Sequence, residues 1–232
     1  MKIQVFATSL ILTFVLGGCG GGASAPPSGP VASTNSFPLQ AGYKAQVSAG
    51  SSINYTISGT CAGTATLSDS APVAATFEGI VGVSVTSTAT AKLINCTPAT
   101  AASTAIAYYD SNYSLLGTST PGSSYAKVAA TPVVIPTSVK VGDTAVFATL
   151  NTYTNSTKTT LTGQRVISYV IEPDTATTAI VNVISKSYNT ANQLLSTQQS
   201  RSRMDSTGML TDLATDVQYS TTSTSHLLYT RI

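Results

Sequence analysis

The chain contains no tryptophan and a single histidine, and Lys, Arg, Asp and Glu together make up only 9% of its 232 residues, with a net charge of +2. So few charges exclude a nucleic-acid binder, which needs a clustered basic face. His226 is the single histidine and there are three cysteines, few ligands for a soft metal site. No serine sits in a nucleophile-elbow sequence, and a Ser-His-acid triad also requires a positioned base and an oxyanion site. After the N-terminal leader there is no apolar stripe at helical spacing. The low charge does not imply disorder, because 42% of the residues are apolar and those residues are patterned. Thr, Ser, Val and Tyr abound, and Thr, Val and Tyr favour a pleated, half-buried surface. The expected fold class is all-β.

The N-terminus is a segment of another kind. Lys2 is the only basic residue before the apolar stretch Ile3 to Val15. That stretch is shorter than the roughly 20 residues a spanning helix needs and reads as a cleaved leader. It ends in Leu16-Gly17-Gly18-Cys19, followed by Gly20-Gly21-Gly22-Ala23-Ser24-Ala25-Pro26-Pro27. This arrangement resembles the lipobox and type II signal peptide of bacterial lipoproteins. The resemblance implies that residues 1–18 are removed and that Cys19 carries the lipid, palmitate among its acyl chains. Residues 19–36 would form a flexible tether, because they have little apolar surface to bury. Gly20, rather than an aspartate, follows the cysteine, which in such lipoproteins points to the outer membrane. Partners are then the membrane, through the lipid, and an envelope protein or polymer.

With Cys19 used by lipid, Cys61 and Cys96 are an even pair in an exported protein, and a disulfide is the expectation. A reactive thiol or a metal pair is the weaker alternative. Residues 37–130 form the first expected unit. Ile53, Tyr55 and Ile57 alternate with polar residues, as do Val81, Val83, Val85, Ala89, Ala91 and Leu93, which is the period of two of a strand with one buried face. Ile106 and Tyr108 lead through Asp110-Ser111-Asn112 to Leu115 and Leu116 as a hairpin. A disulfide-linked sandwich of this kind resembles an Ig-like β-sandwich in architecture, without the buried tryptophan of that family. The linker is 131–136, where Pro132 and Pro136 break any ladder. Residues 137–232 are expected to hold six strands joined by short turns, an antiparallel β-meander closed into a curved sheet or small barrel.

Several groups stand out as candidate sites. Asp205-Ser206-Thr207-Gly208 matches the short motif of aspartic proteases, but their chemistry needs two such carboxylates and a turn uses the same residues. Asp205, Asp212 and Asp216 lack the spacing of a calcium loop. Arg201 and Arg203 share a strand face and are placed to meet Lys186 or Arg165 across the sheet as a cationic patch. Tyr108, Tyr109 and Tyr113 offer a recognition platform. The sequence therefore points to no catalytic residues, no metal, no cofactor and no nucleic acid. The expected role is a membrane-tethered envelope lipoprotein with a non-enzymatic binding, adhesion or assembly function. The alternative is a carrier or chaperone holding a lipid or polypeptide in an apolar cavity of the C-terminal unit.

Overall fold

The computed structural model describes residues 29–220 and 225–232; the leader and Cys19 lie outside these residues. Helix α1 spans Leu39–Ala49 and leads directly into β1 (Ser51–Gly59). The first half continues with β2 (Ala62–Asp69), β3 (Val73–Phe77), β4 (Ile80–Ile94), β5 (Thr100–Asp110), β6 (Leu115–Thr120) and β7 (Ser124–Val128). The second half holds β8 (Thr144–Tyr153), β9 (Leu161–Pro173), β10 (Ala179–Asn189), β11 (Leu194–Met204), β12 (Leu210–Tyr219) and β13 (His226–Arg231).

All thirteen strands belong to one sheet, in the order β2-β1-β13-β12-β11-β10-β9-β8-β7-β6-β5-β4-β3. A further pairing of β2 with β4 closes twelve of them into an antiparallel barrel. Closure joins the two ends of the chain: Tyr55 of β1 stands opposite Arg231 of β13. The Ig-like sandwich and separate meander expected from the sequence are replaced by this single barrel. Residues 131–136 connect β7 to β8, and those two strands pair with each other, Tyr125 opposite Tyr153. Alternation with a period of two reports one buried face and is the same in a sandwich wall and a barrel wall. It does not say which distant strand completes the ladder. The six strands expected between 137 and 232 are all present.

Twelve strands enclose more room than in-facing side chains fill, unlike the tighter eight-stranded case. Helix α1 occupies that room at one mouth. Leu39, Tyr43 and Val47, four residues apart, lie along one stripe of a helix. Leu39 joins a buried cluster with Phe37, Ile135, Val139, Tyr169, Ile171, Val181 and Met204. Tyr43 and Val47 pack against a second cluster that includes Val85, Tyr109, Leu115, Ala148 and Leu150. With no side-chain cap at its N-terminus and only 11 residues, α1 owes its stability to this packing rather than to its own propensity.

The segment before α1 is tied to the same mouth. Val31 forms a β-bridge with Asp174, and the buried Ser33 donates its hydroxyl to the Ala176 carbonyl at 2.7 Å. Any free tether therefore ends ahead of Val31, not at residue 36. Opposite this mouth, the Cys61–Cys96 disulfide joins the β1–β2 turn to the segment after β4, with a Cα–Cα distance of 5.8 Å.

The outer face of β1, β2 and β4 is polar. Thr66 donates to Asn54 at 2.8 Å, and Ser52 and Ser68 share a hydrogen bond at 2.9 Å, both in exposed positions. Lys92, Thr88 and Thr90 continue that face on β4. Over β5–β7 the β3–β4 hairpin folds onto the wall. Phe77 stacks on Tyr108 and Tyr125 at centroid distances of 4.3 and 5.3 Å. At the hairpin tip, Glu78 accepts hydrogen bonds from Lys158 at 2.7 Å, from Lys127 at 3.2 Å and from the Tyr125 hydroxyl.

Candidate functional site

Beneath α1 lies a cavity of about 510 Å³. It is walled by the C-terminal half of the helix and by in-facing residues of β1, β2, β4, β5, β11, β12 and β13. Strand alternation sends every second residue inward, so one wall combines Ile53 and Tyr55 of β1 with Leu67 and Asp69 of β2. Val85, Tyr109 and Leu210 add apolar surface. Tyr43 seals the helical side, edge-to-face with Phe147 at 5.2 Å and with Tyr109 at 6.3 Å.

Polar groups enter this wall at fixed points. Asp212 accepts from Gln46 Nε2 at 3.0 Å and from Ser202 Oγ at 2.7 Å, which ties the helix to β12 and β11. Arg231 Nη1 donates to the Asp212 carbonyl at 3.5 Å. Asp69 accepts from Ser51 at 3.2 Å and from Ser87. Burial, reinforced by the Asp212 carboxylate and opposed by Arg231, pushes the Tyr55 hydroxyl up to about 12. Burial first, and then Tyr109, raises Tyr43 well above the ordinary tyrosine value. Both phenols are thus neutral hydrogen-bonding groups near neutral pH. The wall is about half polar and half apolar, with fixed donors and acceptors of the kind that orient a small molecule.

The three aspartates considered for calcium do not meet. Asp205 sits in the β11–β12 turn and accepts from Thr207 N at 2.8 Å and Met209 N at 3.0 Å. Asp212 faces the cavity. Asp216 lies on the outer wall, 3.0 Å from His226 Nε2. Among the described residues, no three His, Cys, Asp or Glu side chains gather at a metal-binding spacing. His226 thus has an acid partner that its sequence neighbours did not reveal.

The cationic patch is dispersed as well. Arg201 pairs with Glu172 at 3.3 Å and Arg203 with Asp174 at 2.7 Å, while Arg165 points to the other side of the sheet. The tyrosines also part: Tyr108 stacks outside, Tyr109 lies inside, and Tyr113 packs beside Tyr109 with Lys44 5.3 Å from its ring. The cavity residues Tyr43, Gln46, Tyr55, Asp69 and Arg231 were not singled out by sequence. Their available signal was charge at in-facing strand positions, where Asp69, Asp212 and Arg231 interrupt an apolar face. No protein-family model, no curated protein and no solved structure matches the chain.

Proposed function

We propose that this chain is a lipid-anchored, non-enzymatic binding protein of the bacterial envelope that holds a small amphipathic molecule inside its barrel. The observation that carries the binding part is the cavity under α1, where Tyr55, Asp212 and Arg231 stand among Ile53, Leu67 and Val85. This modifies the carrier reading, because the walls come from both halves of the chain and not from the C-terminal half alone. The anchoring part rests on the lipobox-like sequence at Cys19, and Gly20 after it directs the protein to the outer membrane of a Gram-negative cell. Ten Cα-to-Cα steps lead from Cys19 to Gly29, a reach of at most ~35 Å. The chain joins the barrel at the helix-filled mouth, so that mouth lies nearer the bilayer.

Native mass spectrometry of the full chain released from membranes tests the binding reading. A bound small molecule is expected on the native protein. It is expected to be lost from Leu67→Trp, which fills the cavity, while circular dichroism stays unchanged. An adduct retained by the folded variant, or none on the native protein, overturns the reading. A second reading, assembly with another envelope protein, is favoured by the outer edge of β3, which pairs only with β4 and leaves backbone groups open to an added strand.

A further inference from the structure

Among the described residues, Arg165 is a cation inside the barrel with no carboxylate in ion-pair contact. On β9 it stands opposite Leu150 of β8 and Ser187 of β10. Leu150 is fully buried in the cluster that Tyr43 touches, so this face of β9 is the inner one. Arg165 Nη2 donates to Thr118 Oγ1 at 2.7 Å, and Thr118 stands opposite Ala107 and Ala126 of that same cluster. Among the described residues, the ion pairs engage Glu78, Glu172, Asp174 and Asp216, all with other partners. A guanidinium carries five N–H donors, and Thr118 takes one.

A partly buried cation without a counter-charge is costly, and proteins usually pair it. Burial lowers the Arg165 pKa, in keeping with that unmet demand. The inner positions around it are small: Ala107, Ala126, Thr152, Gly163 and Ser187. Further along β5, away from α1, the inner residues Ala101 and Ser103 are exposed, so the barrel is open on that side. Arg165 is not part of the cavity wall under α1.

We infer that Arg165 is the centre of a second binding site, which takes an oxyanion group, carboxylate or phosphate, from the mouth opposite α1. The planar fork of the guanidinium matches either group in a bidentate manner. Thr118 fixes the orientation of that fork, and Ser187 lies across the ladder as a further hydroxyl near the anion.

The test is titration of the full chain with acetate and with inorganic phosphate at constant ionic strength, read by isothermal calorimetry. Saturable binding of at least one anion is expected, and the tighter of the two identifies the carboxylate or phosphoryl source. Arg165→Gln is expected to weaken it by at least about tenfold, the scale of a lost charge-assisted hydrogen bond. Arg165→Lys keeps the charge without the fork and is expected to fall between the two. Should Arg165→Gln fail to fold by circular dichroism, Thr118→Val serves instead and is expected to weaken binding severalfold. No saturable binding to the native protein, or equal binding by the folded variants, overturns the inference. Because Leu67→Trp alters only the cavity under α1, it is expected to leave anion binding unchanged.

Discussion

Gly42 of α1 and Gly208 of the β11–β12 turn meet backbone to backbone. A Cβ on Gly42 would collide with the Gly208 carbonyl oxygen, and Gly208 itself takes a φ of +91°, the left-handed region that glycine adopts at little cost. The pair sets how deeply the helix sits in the mouth. Gly42→Ala favours the isolated helix by propensity, yet it must push α1 away from the turn. The expected outcome is a net loss of about 1–3 kcal/mol, the scale of overpacking, together with greater binding of a hydrophobic dye as the cavity opens. Denaturant unfolding and dye fluorescence check both.

The disulfide closes 35 residues of chain. In the chain-entropy model such a loop stabilises by about 2–4 kcal/mol. Because β1 and β2 share ladders with β13 and β4, the loss spreads over the whole barrel. Replacing Cys61 and Cys96 with alanine is expected to lower the midpoint of one cooperative transition. Calorimetry checks this, and two separate transitions would instead indicate independently unfolding halves.

Glu78 links pH to stability. Hydrogen bonds from Lys158 and then Tyr125, with Lys127 adding to them, hold its carboxyl at about 2 against an ordinary 4.5. A depressed folded-state value means that the stabilisation is fully present above about 4.5 and fades as pH falls towards about 2. At pH 7 Glu78→Gln is expected to cost about 1 kcal/mol, the upper end for a partly exposed ion pair, since three donors share one carboxylate. Urea midpoints of the native and variant proteins are expected to differ at pH 7 and to converge below pH 4.5.

The strands were legible wherever one face was apolar. Ile53, Tyr55 and Ile57 mark β1, and the run from Val81 to Leu93 marks β4, because a barrel wall imposes the same alternation as any half-buried sheet. Closure was not legible: the match of Tyr55 with Arg231 joins residues near opposite ends of the chain, and no local pattern encodes it. Helix α1 was missed for another reason. Its stripe is only Leu39, Tyr43 and Val47, with Gly42 between them, too few turns for periodicity to stand out. The cavity was hidden for the same reason as closure, since Asp69, Asp212 and Arg231 come together only when the sheet curls round.

Asp205 and His226 supply negative tests of catalysis. Asp205 Oδ1 accepts from Thr207 N, Thr207 Oγ1 and Met209 N, all of which an Asn side-chain oxygen also accepts. Asp205→Asn is expected to retain the fold and ligand binding, whereas Asp205→Ala loses the turn and costs about 1 kcal/mol. His226→Ala removes one surface pair with Asp216 and is expected to cost less than about 1 kcal/mol. Melting temperatures and the calorimetric titration check these outcomes.

The proposed anchoring rests on Cys19. Acylation with more than one chain is enough for stable anchoring, so the native protein is expected to sediment with membranes after a high-salt wash and Cys19→Ala to remain in the supernatant. The absence of tryptophan allows the orientation to be read as well. Met209, in the turn that receives α1, and Leu161, at the start of β9 and the opposite end of the barrel, are both exposed. A tryptophan placed at Met209 in the acylated protein is expected to be quenched more strongly by brominated lipid than one placed at Leu161, because the chain enters at that mouth and the tether reaches at most ~35 Å. Equal quenching at the two sites, in protein shown by mass spectrometry to be acylated, would mean that the tether does not orient the barrel.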